Sequence, residues 1–357
     1  FFYDREGATL VPPATTIMLV VNVFFALMVA FFSSPFKPVP APVLDGRGLN
    51  PLLQNPGMIL HPLTLYIGYV GFTVPFAFAL AALIRNRVDD VWIRITRSWT
   101  LISWLFLSLG MIYGGQWAYV ELGWGGVWAW DPVENASLIP WLTATAYFHS
   151  VMIQEKRGML KKWNVLLIVL TFLFTILGTF ITRSGLLSSV HSFAESSVGP
   201  AFLFFMGLVI TGSLYLFFDR AHLLQEENEF ESYFSKESSF LFNNLLLVGA
   251  AFAVTWGTLF SLVSKALSGE EIMVGPPFFN RVNIPIFLAV VILMGICPLI
   301  AWRRSSWRNF RRNFLLSLLI ALAVMAVLVA LGIRKPGAVL SFSASAFVAA
   351  TILFDVV

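Results

Sequence analysis

Residues 123–132 read Gly123-Trp124-Gly125-Gly126-Val127-Trp128-Ala129-Trp130-Asp131-Pro132, and what flanks them decides the fold. Apolar stretches lie on either side, at about 98–117 and 135–153. Each is near the ~20 residues that a helix needs to cross ~30 Å of hydrocarbon. Backbone in lipid must satisfy its own hydrogen bonds, and these runs are too long and uniformly apolar for barrel strands, so both are helices. Further out, eight more such stretches follow, at about 14–33, 59–84, 163–182, 200–218, 242–264, 284–302, 313–333 and 338–357. The expected fold class is an all-α polytopic membrane protein of about ten transmembrane helices, with a tryptophan-rich outer loop. A composition of 58% hydrophobic and 12% charged residues agrees.

Composition also excludes. Acidic and basic residues nearly balance, at 19 and 23, so nothing points to nucleic acid. The one cysteine, Cys297, precedes Pro298 in an apolar run. The chain therefore has no internal disulfide, no CxxC pair and no CxxCH haem-attachment motif, and is not itself a c-type cytochrome. It begins Phe1-Phe2-Tyr3 and ends Phe354-Asp355-Val356-Val357 within an apolar run, and it is expected to be part of a longer protein. Residues 1–13 are read as an N-terminal cytoplasmic-side segment and 14–357 as the transmembrane bundle.

Loop charges give the orientation. Alternate loops hold sixteen Lys and Arg against seven, the richer set including Arg303, Arg304, Arg308, Arg311 and Arg312. The richer set is cytoplasmic. The loops 117–134 and 183–199 then face outward. The loop 219–241, with Glu226, Glu227, Glu229 and Glu231, faces the cytoplasm.

Four tryptophans, Trp117, Trp124, Trp128 and Trp130, fall within 14 residues. Such a loop presents a rigid aromatic platform, and its glycines let a planar ligand approach the backbone. Were it helical, Trp117, Trp124 and Trp128 would share a face. The plainer reading is an interfacial aromatic belt. His61, after Pro56-Gly57, and His191, in the loop 183–199, reach the same outer surface. Neutral imidazole is a common haem-iron ligand, and two ligands from different loops suit the two faces of one haem. His149 lies within a span, either as a functional group or as a neutral histidine bonded to a neighbouring helix. His222 reads as a loop residue. Asp131-Pro132-Val133-Glu134 fits an N-cap acid, a first-turn proline and an acid at the third position. Arg183 can pair with a carboxylate such as a haem propionate, or snorkel at the interface. No nucleophile or general-base cluster for conventional catalysis is evident.

At these residues the chain resembles the WWD-domain haem-handling membrane proteins, the CcmF/CcmC/CcsA family. The signature is Trp124-Gly125-Gly126-Val127-Trp128-Ala129-Trp130-Asp131, continued by Pro132-Val133-Glu134-Asn135. The segment Thr182-Arg183-Ser184-Gly185-Leu186-Leu187-Ser188-Ser189-Val190-His191-Ser192-Phe193-Ala194 is similar to the CcmF-like branch or its nitrite-reductase paralogue. The resemblance covers about residues 15–310. It implies a bacterial inner-membrane protein with a periplasmic working face, acting in the haem-ligation (haem lyase) step of c-type cytochrome assembly. The implied partners are a haem chaperone, apocytochrome c and partner lyase subunits of the CcmH/CcmI kind. His61 and His191 would ligate the outer haem iron, and Trp124, Trp128, Trp130, Asp131 and Arg183 would shape its pocket. His149 would ligate a separate intramembrane haem b, whose second histidine is expected outside this chain. Two rivals stand: a haem carrier or exporter without ligation activity, and a non-haem transporter, for which broken helices and intramembrane charges are few.

Overall fold

The structure, a computed structural model, describes residues 7–36, 38, 44–46, 48–187, 189, 198–228, 235–297 and 307–356. Among the described residues eleven α-helices follow one another: α1 (Val11–Leu27, prolonged by a wide turn at Met28–Phe32), α2 (Gly57–Gly71), α3 (Thr73–Ile84), α4 (Val91–Glu121), α5 (Pro132–Arg157), α6 (Lys161–Ser184), α7 (Gly199–Asp219), α8 (Lys236–Ser268), α9 (Pro276–Ile296), α10 (Trp307–Ala330) and α11 (Pro336–Val356). No strand occurs among the described residues. The protein is an all-α polytopic membrane protein, and among the described residues eight helical segments are long and apolar enough to span a bilayer. In α10 the apolar part is the shorter Phe314–Ala330. Helix α5 is more polar, and five of its polar side chains, Asn135, Ser137, Thr143, Ser150 and Gln154, are buried.

Two sequence expectations change here. The stretch 59–84 is one apolar span, Gly57–Ile84, whose helix is interrupted at Phe72 into α2 and α3. Pro75 explains the break. It has no N–H to donate to the Gly71 carbonyl, and its ring would crowd that oxygen. The second change concerns the tryptophan loop. Helix α4 has 31 residues, about 46 Å at 1.5 Å per residue, well over the ~30 Å of hydrocarbon. It therefore carries residues 117–121 in its last turns, and the irregular segment is 122–131. Trp117 is helical and buried, not part of the loop. Because 122–131 is not helical, Trp117, Trp124 and Trp128 do not form a common helical face.

The chain divides into two compact units. The first comprises Phe1–Ala144, Lys161–Gln225 and Thr255–Val274. In it α2 packs closely on α4, where small residues let the backbones meet. A Cβ on Gly68 would lie 2.6 Å from the Leu107 nitrogen, and one on Gly110 would lie 2.7 Å from the Leu65 Cα. Close backbone approach is how helices gain contact in lipid, where no hydrophobic force drives them together. Phe76 of α3 stacks on Phe172 of α6 and Phe24 of α1 on Phe205 of α7, both at 4.0 Å between ring centroids. The second unit comprises Thr145–Leu160, Glu226–Val254 and Gly275–Val357. There α11 packs on α9 and α10. Ile153, Met159 and Phe240 form an apolar cluster, with Cys297 against it. Beside them Arg157 and Glu237 form a buried ion pair at 2.7 Å.

Candidate functional site

The first turn of α5 fixes the tryptophan loop. Asp131 Oδ1 accepts the Val133 N–H at 2.9 Å, and Glu134 Oε2 accepts the Asp131 N–H at 3.0 Å. This is the reciprocal cap expected from the sequence. Glu134 does more, since the same oxygen accepts the Ala129 N–H at 3.0 Å. Asn135 donates to the Trp130 carbonyl at 3.1 Å and to Thr258 Oγ1 at 3.0 Å. Between these ties Trp130 has φ = 60°. A non-glycine residue in that region costs of order 1–3 kcal/mol and persists only when its surroundings over-determine it. The rings of Trp128 and Trp130 meet edge to face, 5.9 Å apart at 88°. That geometry suits their quadrupoles. It also means that a planar ligand lies flat on only one of the two.

The segment before α2 is fastened to the end of α4. Trp117 Nε1 donates to the Leu52 carbonyl at 3.0 Å, and the Asn55 amide donates to Glu121 at 2.7 Å. Helix α2 thus starts beside the loop, and His61 comes in its second turn. Its Nδ1 lies 2.7 Å from the Gly110 carbonyl oxygen of α4. A carbonyl only accepts, so Nδ1 carries a proton, and in the neutral form of the ring the lone pair is on Nε2. The His61 ring lies against Gly114.

His61 lines two cavities. One, of about 280 Å³, is walled by Met58, Leu65, Tyr66, Tyr69, Val133 and the exposed Arg183. The other, of about 40 Å³, has Trp128 and Glu134 on its wall. Trp128 also borders a broad apolar groove of about 640 Å³ between α4 and α5. Trp124 and Trp130 line none of the three. An imidazole lone pair, apolar and aromatic walls and one guanidinium are a donor set that fits haem.

His191 lies outside the described residues. Ser189, two residues before it in the sequence, donates to Asp131 Oδ1 at 2.6 Å. In the second unit, Nδ1 of His149 is 2.8 Å from the Asn243 amide nitrogen, and its ring stacks on Phe240 at 5.3 Å. That unit contains no other histidine. His222 sits in the short turn Ala221–Leu223 after α7. Sequence reasoning missed Gly110, Gly114, Tyr66, Tyr69 and the loop-holding role of Asn135. The Gly110–Gly114 spacing was a visible small-residue signal for close helix approach.

Residues 6–191 match the family described as "Cytochrome C assembly protein". The chain is 46% identical over 329 residues to the cytochrome c-type biogenesis protein CcmF of Escherichia coli K12, covering 92% of this chain and 50% of that protein. It is 40% identical to the cytochrome c-type biogenesis protein NrfE of Haemophilus influenzae, covering 99% of this chain and 55% of that one. Among solved structures it is similar to "Cytochrome c Heme Lyase CcmF", with a TM-score of 0.73 and 36% identity, over 96% of this chain and 51% of the other. The chain spans about half the length of the curated relatives it matches.

Proposed function

We propose that this chain, which belongs to the cytochrome c assembly protein family, holds haem beside its tryptophan loop for attachment to apocytochrome c. The observation that carries this reading is His61. Its Nδ1–H is committed to the Gly110 carbonyl, and Arg183 lines the same cavity. The Nε2 lone pair then serves iron, the apolar and aromatic walls serve the ring, and Arg183 serves a propionate. His191 would supply a second imidazole to the iron, and Asp131 accepts a hydrogen bond from Ser189, two residues before it in the sequence. Trp128, with Trp124 and Trp130, guards the ring edge.

The chemistry is addition. A cysteine thiol of the apocytochrome adds across a haem vinyl group, sulfur to one carbon and hydrogen to the other, and nothing leaves. The protein's share is positioning, which converts an encounter between two large molecules into a local one. The working face is periplasmic and the membrane is the bacterial inner membrane, in accord with the lysine and arginine bias of the loops. A haem chaperone delivers, and CcmH/CcmI-like subunits assist. His149 ligates a separate haem b in the second unit.

Absorbance of the purified complete protein, oxidised and dithionite-reduced, tests the reading. Haem bands should appear in wild type and be lost, for the outer site, in His61→Ala. A protein that takes up no haem is a transporter of another kind. One that binds haem and exports it without supporting cytochrome c formation is a carrier.

A further inference from the structure

We propose that Gly114 is a positioning residue for His61, acting by uncovering the Gly110 carbonyl; this rests on the haem-ligand reading of His61. In an α-helix each Cα–Cβ bond tilts toward the N-terminus, so the side chain at i+4 lies over the preceding turn, beside the carbonyl at i. Residue 114 stands in that relation to Gly110. The carbonyl at 110 carries a second lone pair beyond the one used in the helix, and the His61 Nδ1–H reaches it at 2.7 Å. The ring comes in through the space that a side chain at 114 would fill. A Cβ there would lie 2.5 Å from His61 Cε1, 2.7 Å from Nδ1 and 3.3 Å from Nε2.

The crowding at Gly114 differs in kind from that at its neighbours on the α2–α4 crossing. Gly110 and Gly68 are hemmed in by backbone at the α2–α4 crossing. That is packing, and it calls for no ligand. Gly114 is hemmed in by one imidazole, on the edge that holds the hydrogen bond. A methyl group at 114 pushes that edge away from Gly110, and the Nδ1–H loses its acceptor. Such a hydrogen bond fixes which nitrogen faces the iron and raises the basicity of the ligand, and losing a partner of this kind lowers metal affinity about 10–100-fold.

The test uses the complete protein, ferric haem as probe, and the variants Gly114→Ala, His61→Ala and Gly212→Ala. Gly212 is also in a helix and has open space around it, so it controls for the change in helix propensity. Gly114→Ala should accumulate in membranes like Gly212→Ala, bind haem about 10–100-fold more weakly, and shift the midpoint potential of the bound haem positive. Added imidazole should restore its low-spin spectrum, because the lesion is a misplaced ligand. If Gly114→Ala binds haem with unchanged affinity and potential while His61→Ala loses it, the proposal falls and the ligand reading stands. Failure of imidazole to restore the spectrum also overturns it, since Gly114 would then be a packing residue. If His61→Ala itself binds normally, the ligand reading falls first.

Discussion

His61 and His149 both sit in helices of an apolar protein with Nδ1 engaged, yet their partners differ in kind. The partner of His61 is a main-chain carbonyl, which only accepts. That sets the tautomer and assigns the lone pair to Nε2. Nδ1 of His149 faces the Asn243 side-chain amide, and the same ring also hydrogen-bonds the backbone of Thr145. Their surroundings differ too. His61 borders cavities that also expose a cation and an indole, whereas His149 is stacked on Phe240 beside the apolar cluster. A histidine in a membrane protein is thus classified by its acceptor and by the space around it, not by its presence in a span.

The largest expected effect breaks the comparison outright. His61→Ala or His191→Ala in the complete protein should abolish c-type cytochrome formation without changing the amount of protein in the membrane. Normal cytochrome yield from either would remove the outer site. His149→Ala should act separately, erasing a reducible b-type absorbance while leaving haem capture from the chaperone intact. An unchanged b-type spectrum would make His149 a core histidine held by Asn243.

Smaller effects sharpen the comparison. Trp128→Ala should weaken haem capture by about 1–3 kcal/mol, the usual cost of losing one large aromatic contact. Trp130→Ala should cost less, because Trp130 lines none of the three cavities around the site. Equal losses in haem titrations would put both rings on the ligand. The smallest effect is expected from Glu134→Ala. It removes the acceptor of the Ala129 and Asp131 N–H groups, at a cost typical of a lost cap, about 0.5–2 kcal/mol. Faster hydrogen exchange confined to residues 122–131, with little change in haem affinity, would show that the loop is held from α5 rather than by ligand.

Much of the fold was legible because hydropathy and length respond to lipid directly. The expected rods recur as helices in the same order, and Asp131-Pro132-Val133-Glu134 gave the start of α5 from local chemistry alone. Two features were not legible. The α2–α3 break depends on one residue, Pro75, within a stretch that is apolar throughout. The reach of α4 to Glu121 is hidden because helical backbone continues past the bilayer, where the side chains no longer need to be apolar. Trp117 was misread for that reason. Its density with Trp124 and Trp128 suggested one surface, but a helix end separates it from them.

The sequence by itself determined the class, the order of the helices, the cap of α5 and the residue types able to hold haem. Periodicity, hydropathy and capping act over a few residues, so one chain read in order carries them. Only the tertiary structure decided that Trp128 and Trp130 stand perpendicular. Only it set Arg183 and His61 on one cavity, and gave the Gly110 carbonyl to His61 through the gap at Gly114. The last of these depends on residues of two helices meeting within about 3 Å, the length of one hydrogen bond, a requirement met by the packing of α2 on α4, to which no single segment commits the chain.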